Sequence, residues 1–286
     1  HSGRYDFWET GKQNQTDFSV SSGDDRGTSY ISLQHLNVDG TTWKDNYMRF
    51  GIRANGTRNV YNNLRVGYNV NFIQNRYDQT TTTGDIYNNL LNTPAHIPIT
   101  DYKDWQNDKF ANPNGYYNNY YANPYFLIDN YRNKTRNDYL TGNVDVNWKV
   151  ADWMTLTAGG NITTRNYSNK QTTGIFKYSE YVLANFHGSQ ADVAGYVGDG
   201  AGFSTTAIGD FKAIFNHKIS DFGMRLTIGN QIINRTSKGL DVSVNGLVIP
   251  GLYNVSNRTA PFPSGGESNA VSREVGLFGQ FVGEYK

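Results

Sequence analysis

YMRFGIRANGTRNVYNNLRVGYNVNF, residues 47–72, decides how the chain is read. Met48, Phe50, Ile52 and Ala54 fall on one face of an extended chain, with Arg49, Gly51, Arg53 and Asn55 on the other. After the polar break NVYNN (59–63) the alternation resumes, Leu64, Val66, Tyr68, Val70 and Phe72 standing against Arg65, Gly67, Asn69 and Asn71. Period-two patterning sustained over this length specifies two strands joined by a tight turn. An antiparallel sheet commonly rests one face on a core and the other in water. The question is what the apolar face rests against.

The same pattern recurs along the chain. Strands are expected near 16–22, 28–37, 47–58, 63–77, 136–149, 153–167, 203–216, 222–235 and 271–285, nine in all. Leu140, Val144, Val146 and Trp148 oppose Thr141, Asn143, Asp145 and Asn147. Met154, Leu156, Ala158 and Ile162 oppose Thr155, Thr157, Asn161 and Thr163, and Met224, Leu226 and Ile228 oppose Arg225, Thr227 and Gly229. The connections alternate in length. Short turns lie at GDDRG (23–27), NVYNN, VAD (150–152) and HKISD (217–221); between them are a modest loop at 38–46 and long loops at 78–135, 168–202 and 236–270.

In an up-and-down meander every second connection emerges at the same end, so the long loops share one end and the short turns the other. Loops of such length are uncommon in compact domains. A transmembrane β-barrel accounts for them, with short periplasmic turns, long extracellular loops and an apolar face against lipid. Arg49, Arg53, Arg65, Asn69, Asn71 and Arg225 then face the lumen, the arginines pairing with a plug or with carboxylates of neighbouring strands. Tyr47, Tyr77, Tyr139, Trp148, Trp153, Tyr167 and Tyr285 lie near strand ends and fit the preference of Tyr and Trp for the membrane interface. Single-chain bacterial barrels have an even number of strands, and an open edge cannot sit in hydrocarbon, so all of 1–286 reads as an internal piece of a longer barrel.

Composition agrees. The 286 residues carry 26 basic and 25 acidic side chains, which leaves no field to gather nucleic acid. Aromatic residues make up 14% of the chain although mean hydropathy is -0.64, a mixture foreign to simple disorder. The absence of cysteine excludes disulfides and Cys-based zinc sites. No run approaches the roughly 20 apolar residues of a membrane helix. The first residues, HSGRYDFWETG, contain neither an initiator Met nor a signal peptide, consistent with a mature, processed or partial chain.

Particular stretches are familiar as well. DFWETGKQNQTDFSVSSGDDRGTSYISLQHLNVDG (6–40), the 47–72 stretch and VIPGLYNVSN (248–257) occur in an order and spacing that resembles the barrel of SusC/RagA-type TonB-dependent transporters, outer-membrane proteins of Bacteroidota. The quoted runs cover roughly a quarter of the chain. The resemblance implies a 22-stranded barrel with an N-terminal plug, a segment contacting TonB, and a SusD-like surface lipoprotein acting as a lid. It implies uptake of an oligosaccharide or a peptide, without cofactor or enzymatic activity. Neither plug nor TonB-contacting segment is recognisable in these residues.

Candidate chemistry is sparse. His1, His35, His96, His187 and His217 are scattered, and no nucleophile elbow, phosphate loop or metal-binding helix accompanies them. GDGAG (198–202) reads as flexible loop, since no helix is expected behind it. Sequons such as Asn133–Thr135 and Asn254–Ser256 read as chance in an Asn- and Thr-rich chain, and NVDG (37–40) as turn chemistry. The most suggestive segment is ANPNGYYNNYYANPYFLIDNY (111–131), where Trp105, Tyr116, Tyr117, Tyr120, Tyr121 and Tyr125 offer rings for sugars or peptide side chains. Packing of the same rings within the loop or against the lid is the favoured alternative. GDIYNNLLNTPAHIP (84–98) is expected to form a short helix ended by Pro94. Two rival readings of the whole are a soluble β-rich adhesin or glycan-binding module, and a passive porin.

Overall fold

The structure, a computed structural model, describes residues 3–118, 120–185 and 190–285. His1 and His187 lie outside them. Nine strands form one sheet: β1 (Lys12–Asp24), β2 (Gly27–Asp39), β3 (Asn46–Tyr61), β4 (Leu64–Thr80), β5 (Tyr131–Ala151), β6 (Met154–Phe176), β7 (Val193–Ile219), β8 (Phe222–Asn245) and β9 (Ser264–Tyr285). Their order in the sheet is their order in the chain, and each is antiparallel to the next. β1 and β9 do not pair with each other, so the sheet is open at both edges. The all-β meander and its nine strands are those expected from the sequence.

The strands are longer than their hydrophobic pattern. β5 starts at Tyr131, β6 runs to Phe176, β7 starts at Val193 and β8 runs to Asn245. The extensions lie at the long-loop end, where Lys134, Arg136, Ser168, Lys170 and Asp199 replace the apolar residues and period two fades while the hydrogen-bond ladder continues. The long connections shrink accordingly to 81–130, 177–192 and 246–263, and the modest one to 40–45. GDGAG is not a flexible loop. It lies inside β7, paired with Tyr167–Gln171 of β6 and with Gly239–Ser243 of β8. Its glycines admit bulky neighbours: a Cβ on Gly202 would come within 2.8 Å of the Tyr167 ring.

Cross-strand partners share a face. The row Leu33, Ile52, Phe72, Leu140 and the row Tyr68, Val144, Ile232 therefore belong to one continuous apolar face, together with Phe18, Val20, Phe211 and Leu226. No second layer covers it among the described residues: Phe50, Val70, Leu140, Trp148, Ile162 and Ile228 are all exposed. The buried core lies instead at the long-loop end, among the loops and the strand ends that bear them. Phe7, Ile86, Leu90, Ile99 and Tyr125–Ile128 form the larger cluster, and Val197, Val244 and Leu247 the smaller.

The opposite, polar face holds a correction. Register pairs Tyr47 with Tyr77 and sets Tyr139 between Ile73 and Arg165, on the same face as Arg49 and Arg53; Tyr167 joins them. Four of the seven aromatics expected at a membrane interface thus point away from the apolar face, while Trp148 and Tyr285 lie on it and Trp153 sits in a turn. The phenols find polar partners there. The Tyr47 hydroxyl donates to Asn75 Oδ1 (3.2 Å), the Tyr47 and Tyr77 rings lie 4.8 Å apart, and the Arg165 guanidinium lies over Tyr139 (5.7 Å) and Tyr167 (5.3 Å).

The first long loop contains α1 (Thr83–Leu91), a 3₁₀ turn at Ile99–Tyr102 and α2 (Pro124–Asn130); the second contains α3 (Glu180–Asn185). α1 is the expected helix, stopping at Asn92 before Pro94 is reached. Among the described residues no helix is long and apolar enough to cross a membrane.

Candidate functional site

The long-loop end of the sheet is covered by a folded cap, and its residues explain why. Asn123 precedes Pro124, so its side chain caps α2 by accepting the Tyr125 N–H (2.9 Å) while proline takes the first helical position without a donor to lose. The Asn123 amide nitrogen donates to Tyr102 O (2.8 Å) and Ala111 O (2.7 Å), so one fully buried side chain joins three segments of the loop. α2 then lays Phe126 against Trp105 and Phe176, with ring centroids 5.0 Å apart in each case. Phe7, from the first residues of the chain, closes on Tyr125 at 4.8 Å.

The six aromatic candidates do not form one surface. Tyr125 is core, and burial pushes its phenol up to about 12. Tyr116 is buried edge-on to Tyr102 (5.1 Å), its phenol pushed far up by the same cause. Tyr117 packs on Tyr116 and donates to Thr93 Oγ1 (3.2 Å); Trp105 Nε1 donates to Asp129 Oδ2 (3.0 Å). Tyr120, 71% exposed, stands out from the cap with half-buried Tyr121 beside it.

Between the loops lies a recess of about 720 Å³ lined by Lys44, Trp105, Asp129, Arg132, Gly251 and Tyr253. Arg132, at the start of β5, holds its floor through Asp45 (2.9 Å), Asp78 (2.6 Å) and Lys44 O (2.9 Å). Burial raises the Asp45 carboxyl from its ordinary value, and the Thr80 N–H (2.9 Å) and Arg132 oppose that shift. The far wall belongs to the third long loop, where buried Asn257 accepts from Ile249 N–H (2.9 Å) and Val248 N–H (3.3 Å) and donates to Ile249 O (2.8 Å) and Leu252 O (2.7 Å). VIPGLYNVSN is therefore a loop closed around a single asparagine amide. None of Asn123, Asp129, Arg132 or Asn257 was singled out in the sequence; only Asn123 had a local signal, its position before Pro124.

On the polar face Arg53 stands opposite Asn71, Asn55 opposite Asn69, and Arg65 opposite Asn147. Arg225 donates to Asn216 Oδ1 (3.0 Å). None of Arg49, Arg53, Arg65 and Arg225 forms an ion pair among the described residues, so the expected pairing with carboxylates of neighbouring strands is not found. Asparagine and threonine rows flank them instead, and the Arg49 Nε is buried without a partner.

No protein-family model and no curated protein sequence matches the chain. Solved structures do. The RagAB peptide importer in its open-open state superposes with a TM-score of 0.72 at 15% identity, covering 99% of this chain and 31% of the importer chain. It matches part of a TonB-dependent transporter barrel. A second RagAB peptide transporter structure gives a TM-score of 0.70 at 15% identity over the same shares. BauA, the ferric preacinetobactin receptor of Acinetobacter baumannii, gives 0.50 at 10% identity, covering 96% of this chain and 37% of the receptor. The chain thus spans about a third of the transporter chains it resembles, and these neighbours are transporters, not enzymes.

Proposed function

We propose that this chain is part of the wall of a TonB-dependent outer-membrane importer, which takes up oligosaccharides or peptides together with a SusD-like surface lipoprotein. The observation that carries the reading is the uncovered apolar face. Measured along β5, the span from the row of Phe50 and Phe203, which crosses β5 at Asp138, to Trp148 is about 33 Å along the strand and about 25 Å in height at the usual tilt, with Leu140 the first apolar side chain on β5 itself. That is the height of the lipid-facing band of an outer-membrane barrel. The open edges at β1 and β9 are where further strands of a longer barrel would pair. The plug and the TonB contact belong to the parent protein; unpaired arginines on the polar face are suited to a plug or a ligand inside the lumen. Within the cap, Tyr120 and Tyr121 are the ring pair best placed to meet cargo or lid. RagAB is a peptide importer, which favours a peptide cargo and a two-component complex for this chain too.

The reading is tested on the full-length protein by electrophoresis with and without boiling. A heat-dependent mobility shift in detergent-extracted membranes is expected. A protein found only in the soluble fraction, without such a shift, overturns the reading.

A further inference from the structure

Directly above the apolar band, on the outward face, the register stacks like charges. Arg76 of β4 stands opposite Arg136 of β5, and in the next row outward Lys134 of β5 stands opposite Lys170 of β6. Like charges directly opposite each other destabilise a sheet, and here two such pairs adjoin. The neighbouring acids offset them only in part. Asp78 is shared between Arg132 (2.6 Å) and Lys134 (3.3 Å), Asp199 meets Lys170 at 3.3 Å, and Asp138 meets Arg136 at 2.8 Å. Arg76 is left with the amide oxygen of Gln74 (2.9 Å). The four cations and Met48 line an open recess of about 570 Å³.

We infer that this recess binds the phosphorylated headgroup of an outer-leaflet glycolipid, its acyl chains lying down the apolar band beside Met48, Phe50 and Phe72. The inference rests on the proposed barrel reading, which fixes this row at the extracellular boundary of the hydrocarbon. The fit has two parts. The recess presents four basic groups against Asp78 and Asp199, with Asp138 paired to Arg136 beside it, so Arg76 is left without a carboxylate and the site favours an anion. It also borders an uncovered apolar surface, directly through Met48 and Phe50 on β3 and across Gln74 and Asp138 on β4 and β5, which suits an anion carrying acyl chains better than free phosphate. Ion pairs as exposed as that of Lys134 are weak and readily exchanged for a phosphate.

The test uses the detergent-extracted full-length protein and a variant carrying Arg76→Gln, Lys134→Gln, Arg136→Gln and Lys170→Gln. Each is titrated with bisphosphorylated lipid A, with dephosphorylated lipid A and with inorganic phosphate, and bound lipid is counted by native mass spectrometry. Lipid A is expected to bind the parent at least about tenfold more tightly than the variant, because each basic residue at an anionic surface adds several-fold. Dephosphorylated lipid A should bind both alike and weakly, and inorganic phosphate should not displace the lipid. Equal retention of lipid A by parent and variant overturns the site, as does full displacement by inorganic phosphate. The double variant Lys134→Gln with Lys170→Gln covers the case in which four changes prevent folding. A preserved heat-dependent mobility shift with unchanged lipid binding sinks this site alone, whereas loss of the shift in the parent sinks the barrel reading first.

Discussion

Replacing Asn123 by alanine should unlock the first long loop while leaving the sheet intact. The side chain makes three hydrogen bonds, all shorter than 3 Å, in a fully buried position. Loss of the helix cap costs about 1 kcal/mol. Leaving the Tyr102 and Ala111 carbonyls unpartnered costs about 1–3 kcal/mol each when water cannot enter. Allowing for some entry of water, about 3–5 kcal/mol is expected, which raises the local opening equilibrium by roughly a hundredfold to a few thousandfold. Asn123→Asp separates the contributions: it keeps the cap but turns two donors into an acceptor facing two carbonyls, so it should be no milder than alanine. The assay is hydrogen exchange by mass spectrometry on the full-length protein, comparing peptides of 99–130 with peptides of β5 and β6. A fall in protection of less than tenfold in 99–130, or an equal fall in the strands, refutes the view that this amide holds the cap together.

Three further outcomes follow from the same geometry. In the third loop Gly246 has φ +86 and a Cβ there would lie within contact of Thr259 Oγ1, so Gly246→Ala and Asn257→Ala should each raise protease sensitivity in 246–263 without affecting 99–130. Ile232→Arg, near the middle of the apolar band, should cost about 2–4 kcal/mol in urea unfolding from lipid vesicles, whereas Gln231→Arg on the opposite face should cost little; equal penalties would mean that the band does not face lipid. Burial raises the phenols of Tyr125 and of Tyr178, which is buried in the second long loop with its ring 5.0 Å from that of Phe176, to about 12, above their unfolded value near 10. The protonated folded state is therefore fully favoured below pH 10, and loop stability falls from there to about 12, by at most about 1.4 kcal/mol per pH unit for each phenol. Phenolate absorbance showing those tyrosines ionised at pH 10 with the loops still protected would contradict that burial.

The sheet was legible because each strand must keep one face apolar for as long as it borders an apolar medium, and period two follows from that requirement alone. Where the medium changes to water the requirement lapses. β5 and β6 continue through Arg132, Lys134 and Lys170 with no pattern to announce them, and the loops were consequently expected to be longer than they are. Tyr47 is legible in the opening stretch itself, since it shares parity with Arg49 and Arg53; position near a strand end sets a residue's height in the sheet, and parity decides its face. The cap was not legible in the same way. Its core joins Phe7, Ile86, Ile99 and Phe126, residues far apart in the chain, and no local rule reports which of them meet.

How the cap is attached constrains how it can move. Its chain leaves β4 at Thr80 and enters β5 at Tyr131, and Thr81 N–H bonds to Tyr131 O (3.2 Å), so the two ends are clasped. Between the ends, apolar packing around Phe126 and the Asn123 amide make the 81–130 segment one body with no free strand to peel away. The Arg132 cluster, on β5, ties together the floor beneath that body through Asp45 and Asp78; the body itself is held to it by Arg132 donating to Ile128 O (3.5 Å) and by Lys44 bonding Asp129 at 2.6 Å. On the importer reading proposed above, a movement of this loop would displace the cap as a unit, breaking the half-exposed Lys44–Asp129 contact while leaving the Arg132 pairs with Asp45 and Asp78 in the floor intact. On that reading the cap would offer a preformed surface, with adaptable contact concentrated in the exposed ring of Tyr120 and the half-buried Tyr121 beside it.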